Sequence, residues 1–105
     1  MSEALQKLFE HGTKWVRADF HLHTRADKEF RYDGDADRFV ASYVEALEAN
    51  GTRLAVITNH NKFDLEEFKA LRKRARKFGI GVLPGVELSV KDGANGVHTL
   101  VVFSE

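Results

Sequence analysis

Two histidines separated by one residue are the first feature of this sequence that could do chemistry. His21 and His23 lie in a β-like run of alternating residues. Because side chains alternate between the two faces of a strand, Asp19, His21 and His23 are predicted on one face. Phe20 and Leu22 then share the other face. Two imidazoles at this spacing can approach one metal ion, since neutral imidazole binds Zn, Fe, Ni and Cu. The alternative is an exposed strand face that carries two polar rings.

Three further candidate ligands lie near the ends of the later predicted strands. His60 follows a short apolar run, Glu87 lies in a run otherwise suited to burial, and His98 is in the last strand. The carboxyl ends of parallel strands meet at one edge of a sheet, so we expect these residues to converge with His21 and His23. A buried ionised carboxylate needs a partner, which favours a metal or an imidazole beside Glu87. Taken alone, His60 and His98 are each explained as ordinary exposed strand residues.

The elements that must position these residues alternate between strand and helix. In chain order we predict a leading helix over 3–11, a strand over 16–23, a loop over 24–35, a helix over 36–49, a strand over 54–58, a helix over 64–78, and strands over 81–90 and 97–103. Asp35 is a suitable N-cap, and Asp64 with Glu67 forms a capping box. Each of the two later helices has an apolar stripe, formed by Phe39, Val40, Tyr43, Val44 and Leu47 in one and by Leu65, Phe68, Leu71, Ala75 and Phe78 in the other. The β-α-β-α-β order predicts right-handed crossovers and parallel strands.

The last connection, residues 91–96, is too short for a crossover helix and contains two turn signals, Asp92–Gly93 and Asn95–Gly96. A β-hairpin is therefore predicted. With Asp92–Gly93 as its two-residue turn, Glu87 lies directly opposite His98.

Composition is typical of one globular domain, or part of one. The chain has 105 residues, 43% hydrophobic and 30% charged, with 16 basic and 16 acidic side chains, so no global field favours nucleic acid or a membrane. It has no cysteine, so a metal must be held by His, Asp or Glu. No stretch resembles a signal peptide or a membrane span, and a cytoplasmic location is predicted. The basic run over 72–77 is interpreted as a solvated helix end rather than a nucleic-acid patch.

Four short motifs resemble those of the PHP superfamily, which is named after polymerase and histidinol phosphatase. In family order they are His21-Leu22-His23-Thr24, Ile57-Thr58-Asn59-His60-Asn61, Pro84-Gly85-Val86-Glu87-Leu88-Ser89 and Val97-His98-Thr99-Leu100. The flanking residues are similar to PHP domains at the amino terminus of large bacterial ATP-binding proteins, some of them described as related to DNA repair or RNA metabolism.

The resemblance implies an α/β fold, a distorted (βα)7 barrel of which this chain carries about half, ending in a hairpin. It also implies two or three divalent metal ions, such as Mn, Zn or Fe, that hydrolyse phosphate esters. By motif match the metal ligands are His21, His23, His60, Glu87 as the bridging residue, and His98. His11 has no matching motif and is taken as incidental.

Three departures from the family pattern affect this expectation. The first motif usually continues to Ser-Asp-Gly, and here Asp27 is the candidate for that acid as a metal ligand. The second motif usually reads Thr-Asp-His, but here Asn59 replaces the acid; it can orient a neighbour but carries no charge. Further ligands of the family have no counterpart after Glu105. We therefore expect 1–105 to be the amino-terminal portion of a longer PHP domain, with 1–14 a leading helix and connector and 15–105 the core.

Three functions compete at this point. The leading one is a phosphoesterase acting on a small phosphate ester, a nucleotide or a nucleic-acid end. The second is a metal-dependent hydrolase of a non-phosphate bond, since fold and ligands do not fix the substrate. The third is a catalytically idle metal-binding module that serves an attached ATPase or partner. The isolated chain is expected to be weakly active or inactive and to self-associate through its open sheet edges.

Overall fold

The computed structural model describes residues 15–27, 30–90 and 97–104. Its elements, in chain order, are strand β1 (Arg17–Leu22), a 3-10 turn (Ala36–Arg38), helix α1 (Phe39–Ala49), strand β2 (Thr52–His60), helix α2 (Leu65–Arg76), strand β3 (Gly81–Val90) and strand β4 (Val97–Val102). The predicted order of strands and helices over this part of the chain is confirmed. The predicted helix over 3–11, including His11, and the turn residues 91–96 lie outside the described residues.

The four strands form one mixed sheet in the order β1-β2-β3-β4. β1, β2 and β3 are parallel neighbours, and β4 runs antiparallel to β3. The two parallel connections each contain a helix long enough to return the chain to the same end of the sheet, as the alternating pattern predicted. The fold is therefore α/β, with the carboxyl ends of three neighbouring strands at a common edge.

Short acidic side chains cap the 3-10 turn before α1 and the start of α2, and glycines follow the ends of both helices. Asp35 accepts the backbone N–H of the residue two positions on, at 3.0 Å. Asp64 accepts the backbone N–H of Glu67 at 3.0 Å, which satisfies a donor that the first turn leaves unpaired. Gly51 and Gly79 follow the two helices with φ of 76° and 72°, a left-handed conformation that lets the chain leave each helix and enter the next strand.

The main hydrophobic core lies between the two helices and one face of the sheet. It consists of Val44, Leu47, Ala55, Ile57, Phe68, Leu71, Ala75, Ile80 and Val82. The predicted apolar stripes account for the helical members of this cluster. Leu65 is an exception, because the first residue of α2 is 50% exposed.

Strand β1 is irregular, and this corrects the predicted alternation. Asp19 pairs with Ala55 and Leu22 pairs with Ile57, so β1 contains one more residue than β2 between the two pairs, which is a β-bulge. Because paired residues of parallel strands point to the same side, Asp19 and Leu22 both lie on the helix-covered side. The prediction that Asp19 shares a face with His21 is therefore wrong. Asp19 instead accepts a hydrogen bond from the hydroxyl of Thr52 at 2.8 Å.

The β3–β4 register also differs from the prediction by two residues. Glu87 pairs with Leu100, and His98 pairs with Ser89. The prediction that Glu87 stands directly opposite His98 is therefore wrong, while the predicted turn itself lies outside the described residues. A shift of two residues keeps every side chain on its original face, so His98 still lies on the same side as Glu87, diagonally across the ladder.

Candidate metal centre

The face of the sheet opposite the helices carries the histidines; we call it the open face because no described helix covers it, although Val56 and Thr58 on it are buried. His60 pairs with Glu87 across β2 and β3, so both side chains point to the same side. The bulge in β1 puts His21 on this side too, because Leu22 beside it points to the helices. β2 extends to His60, two residues beyond the predicted end of the strand, so its ring is fixed by strand geometry rather than by a loop.

Glu87 is the centre of the cluster. Its Oε1 accepts hydrogen bonds from Nε2 of His21 at 2.8 Å and from Nε2 of His23 at 3.0 Å. Its Oε2 accepts a hydrogen bond from Nδ1 of His98 at 2.5 Å. The Glu87 side chain is almost fully buried, whereas those of His21 and His98 are about half exposed. One carboxylate oxygen thus contacts the imidazoles of His21 and His23, and the other contacts the imidazole of His98.

These hydrogen bonds change the acidity of Glu87. The bond from His21 is the largest cause, and those from His23 and His98 add to it. Burial acts in the opposite direction, because it penalises the charged carboxylate. The balance lowers the pKa of Glu87 from 4.5 to about 2, so this residue is a carboxylate at neutral pH.

His60 joins the cluster through its ring. The His60 and His98 ring centroids are 5.1 Å apart with the planes inclined at 33°. Nε2 of His60 is hydrogen-bonded to the hydroxyl of Ser89, the residue that pairs with His98. On the other side of Glu87, the His21 and His23 rings meet edge to face at 5.1 Å. The predicted convergence of four histidines and one glutamate is confirmed, and their role as metal ligands stays a prediction.

Asp27 lies beneath this cluster and is buried. Its Oδ2 accepts the backbone N–H of His60 at 2.6 Å and lies 3.6 Å from Nδ1 of His23. Since Nε2 of His23 is directed at Glu87, the carboxylate of Asp27 is near the opposite nitrogen of the same ring. A carboxylate in this position orients a ligating imidazole. The contacts of Asp27 thus favour a positioning role, and its predicted role as a ligand stays untested.

A buried polar network behind the histidines joins the ends of β1 and β2. Asn59 accepts the backbone N–H of Thr24 at 2.7 Å and donates to the Thr24 hydroxyl at 2.8 Å. The same hydroxyl donates to the carboxylate of Glu67 on α2. Tyr43 on α1 donates to the carbonyl oxygen of His23 at 2.8 Å. Asn59 therefore orients a neighbour, the role that its amide allows. The contacts that Thr24, Glu67 and Tyr43 make in this network were not predicted from the sequence.

Burial keeps the Tyr43 hydroxyl protonated, so that it can donate its hydrogen bond to the carbonyl oxygen of His23. Burial is the main cause that raises the pKa of its hydroxyl above the ordinary value of 10.0, and the nearby carboxylates of Glu67 and Asp19 raise it further. The hydroxyl consequently keeps its proton and remains a donor to the backbone that carries His23. The signal for Tyr43 in the sequence was a tyrosine within an apolar stripe, where a buried hydroxyl requires a partner.

Comparison with known proteins finds no matching family model and no matching curated protein. The geometry of the site is therefore what indicates the function of this chain.

Within the described part of the chain, two groups of residues have donor atoms close enough to hold a metal ion. The first is His21, His23 and Glu87, and the second is His60, Glu87 and His98; within each group the donor atoms lie within 4.8 Å of one another. Glu87 belongs to both groups. Imidazole nitrogen and carboxylate oxygen are donors that suit Zn, Fe and Mn, and a charged carboxylate offsets the charge of a divalent ion. These five residues could therefore bind metal.

Two cavities adjoin the cluster. A groove of about 480 Å³ runs from His21 and His23 along α1, with Phe30, Tyr43 and Leu47 among its walls. A second cavity of about 320 Å³ lies beside His60 and is lined also by Ala26, Asn61 and Lys62.

Over the described part of the chain, no helix is long and apolar enough to cross a membrane.

Proposed function

We propose that this chain is part of a PHP-type metal-dependent phosphoesterase, and that its sheet is the first half of a distorted (βα)7 barrel. The observation that carries the proposal is the position of Glu87. One oxygen of this buried carboxylate is hydrogen-bonded to His21 and His23 at the end of β1, the other is hydrogen-bonded to His98 on β4, and Glu87 belongs to both candidate ligand groups. A carboxylate shared by two ligand groups can bridge two ions, and such pairs are typical of enzymes that hydrolyse phosphate esters.

The residues of the chain fit this chemistry. Divalent ions, when bound, act as Lewis acids on the phosphoryl group and make water more acidic. His21, His23, His60 and His98 would hold these ions through the nitrogens that face Glu87 and Ser89, after giving up their protons. In the overall reaction water adds to phosphorus, the P–O bond to the alcohol breaks, and the alcohol leaves with a proton.

Other residues keep the donor atoms in place. Asp27 holds the backbone of His60 and lies against the second nitrogen of His23. Tyr43 and the pair Thr24–Asn59 fix the chain at the end of β1, where His23 lies. The groove along α1 gives an ester's organic portion an apolar wall beside His21. The partner of the site is thus a phosphate ester, and nucleotides or nucleic-acid ends are within this class.

The test compares the wild-type chain with Glu87→Gln, which keeps the size of the side chain and removes its charge. Mn²⁺ binding is measured by calorimetry, and hydrolysis is measured against a phosphomonoester, a phosphodiester and a carboxyl ester. We expect the wild type to bind Mn²⁺ and to hydrolyse a phosphate ester slowly, and Glu87→Gln to lose at least tenfold in Mn²⁺ affinity together with the hydrolysis.

Other outcomes would select the competing functions. Hydrolysis of the carboxyl ester alone would indicate a non-phosphate hydrolase. Mn²⁺ binding without ester hydrolysis, both by this chain and by a longer chain that carries the rest of the proposed barrel, would indicate a metal-binding module that serves an attached protein. Equal Mn²⁺ affinity in both variants would contradict the assignment of Glu87 as a ligand.

A further inference from the structure

The cavity beside His60 has a cation in its wall. Lys62 is exposed and lines this cavity with His60. Across residues 15–27, 30–90 and 97–104, no hydrogen bond or ion pair engages its ammonium group. An ammonium without a counter-ion at the wall of a cavity is available to a bound anion.

The backbone before Lys62 is fixed in an unusual conformation. Asn61 has a φ of 52°, in the left-handed region that asparagine adopts more readily than most residues with a side chain. Two bonds to β3 hold it there: its N–H donates to the carbonyl of Glu87 at 2.7 Å, and its Oδ1 accepts the N–H of Ser89 at 3.2 Å. The turn that presents Lys62 is thus attached to the same strand as the central carboxylate.

Among the described residues, a second cation close in sequence to the cluster, Arg25, is engaged within the protein. Arg25 lies 3.9 Å from a carboxylate oxygen of Glu67, and its guanidinium stands over the Phe39 ring at 4.3 Å. These contacts direct Arg25 towards the helices. Lys62 is therefore the cation better placed to meet a ligand at His60.

We propose that Lys62 binds a non-bridging oxygen of the substrate's phosphoryl group and gives the site a preference for phosphomonoesters over phosphodiesters. This inference depends on the function proposed above. A monoester phosphate carries a charge of about −1.5 to −2 at neutral pH, whereas a diester carries a single negative charge. A cation at a fixed distance attracts the more highly charged group more strongly.

The experiment uses the Mn²⁺-loaded chain with inorganic phosphate and dimethyl phosphate as probes, and calorimetry as the measurement. The variants are Lys62→Ala, Lys62→Arg and Lys69→Ala, the last a control in which an exposed lysine of α2 is removed. We expect Lys62→Ala to weaken inorganic phosphate binding about tenfold and dimethyl phosphate binding less. Lys62→Arg retains most of the affinity, Lys69→Ala binds as the wild type, and all three bind Mn²⁺ normally.

The possible failures can be told apart. If Lys62→Ala binds phosphate as tightly as the wild type, the role of Lys62 is wrong and the phosphoesterase proposal stands. If Lys62→Ala loses Mn²⁺ as well, Lys62 supports the fold of the site and is not a substrate contact. If the Mn²⁺-loaded wild type binds neither probe, both proposals are wrong.

Discussion

The two faces of the sheet are built on the same strands but from different chemistry. On the helix-covered face, Ala55, Ile57 and Val82 pack against α1 and α2. On the open face, the same two strands carry His60 and Glu87, which pair with each other. Apolar burial is non-directional and tolerant of small shifts, whereas ligand geometry requires nitrogen and oxygen atoms at particular separations. We therefore expect substitutions in the core of the helix-covered face to change mainly stability, and substitutions in the histidine cluster to change mainly ion binding.

Leu71→Ala should have the largest effect on stability. Leu71 is 1% exposed on the helix-covered side, and its truncation removes apolar contacts and leaves a cavity. We expect the free energy of unfolding to fall by about 2–5 kcal/mol in urea denaturation. Leu65→Ala is the matched control, since this leucine of the same helix is 50% exposed and should change stability little. A comparable loss in both variants would contradict the position of the core.

The helix-covered face could be predicted from the sequence in more detail than the open face. The helix-covered face was predicted because periodic apolar residues such as Val44 and Leu71 report burial directly. The open face was predicted only as a convergence at strand ends. The bulge before Leu22 has no glycine or proline to indicate it, so the face of Asp19 was assigned wrongly. Partner choice in a polar network is a tertiary property, and for that reason the contacts of Thr24 were not foreseen.

The register of β4 shows a further limit of prediction. Two turn signals lie in one short connection, and choosing the first put Glu87 opposite His98 instead of Leu100. The contact between the two side chains survived this error, because a two-residue shift preserves the face. The convergence of the side chains was therefore predicted more reliably than the strand pairing that produces it.

His23→Ala should have the next largest effect, this time on metal binding. His23 offers Nε2 beside Glu87, and truncation removes one donor atom from the first ligand group. We expect Mn²⁺ affinity to fall at least tenfold in a calorimetric titration. Stability should change by about 1 kcal/mol or less, because Tyr43 binds the backbone of His23 and not its ring.

His11→Ala is the control for this titration, since His11 belongs to no motif in the sequence. It should bind Mn²⁺ as the wild type does. Equal losses from the two substitutions would show that metal binding is a general property of the histidines and is not specific to the open face.

Acid sensitivity offers a test of Glu87 without metal. The hydrogen bond from His21, followed by those from His23 and His98, lowers the pKa of Glu87 in the folded chain from 4.5 to about 2. A lowered pKa means that this contribution to stability is complete above about pH 4.5 and is lost as the pH falls towards 2. Denaturant midpoints measured in EDTA over this range should fall with pH in the wild type. Glu87→Gln should fall less steeply, and parallel curves would contradict the coupling between Glu87 and the imidazoles.

A pair of buried threonines on β2 gives the smallest and most discriminating comparison. Thr52 and Thr58 are both fully buried, but only the Thr52 hydroxyl has a described partner, Asp19, to which it donates at 2.8 Å. Thr58 lies on the open face, two residues before His60, and its hydroxyl is unpaired within the described part of the chain. An unpaired buried hydroxyl costs free energy that a methyl group of similar size does not. Thr58→Val should therefore raise the free energy of unfolding by about 1 kcal/mol in EDTA, while Thr52→Val should lower it by about the same amount. Urea denaturation of the two variants beside the wild type measures both signs at once. A loss of stability in Thr58→Val would mean that the Thr58 hydroxyl has a hydrogen-bond partner in solution. Burying this hydroxyl on the open face would then not lower the free energy of unfolding.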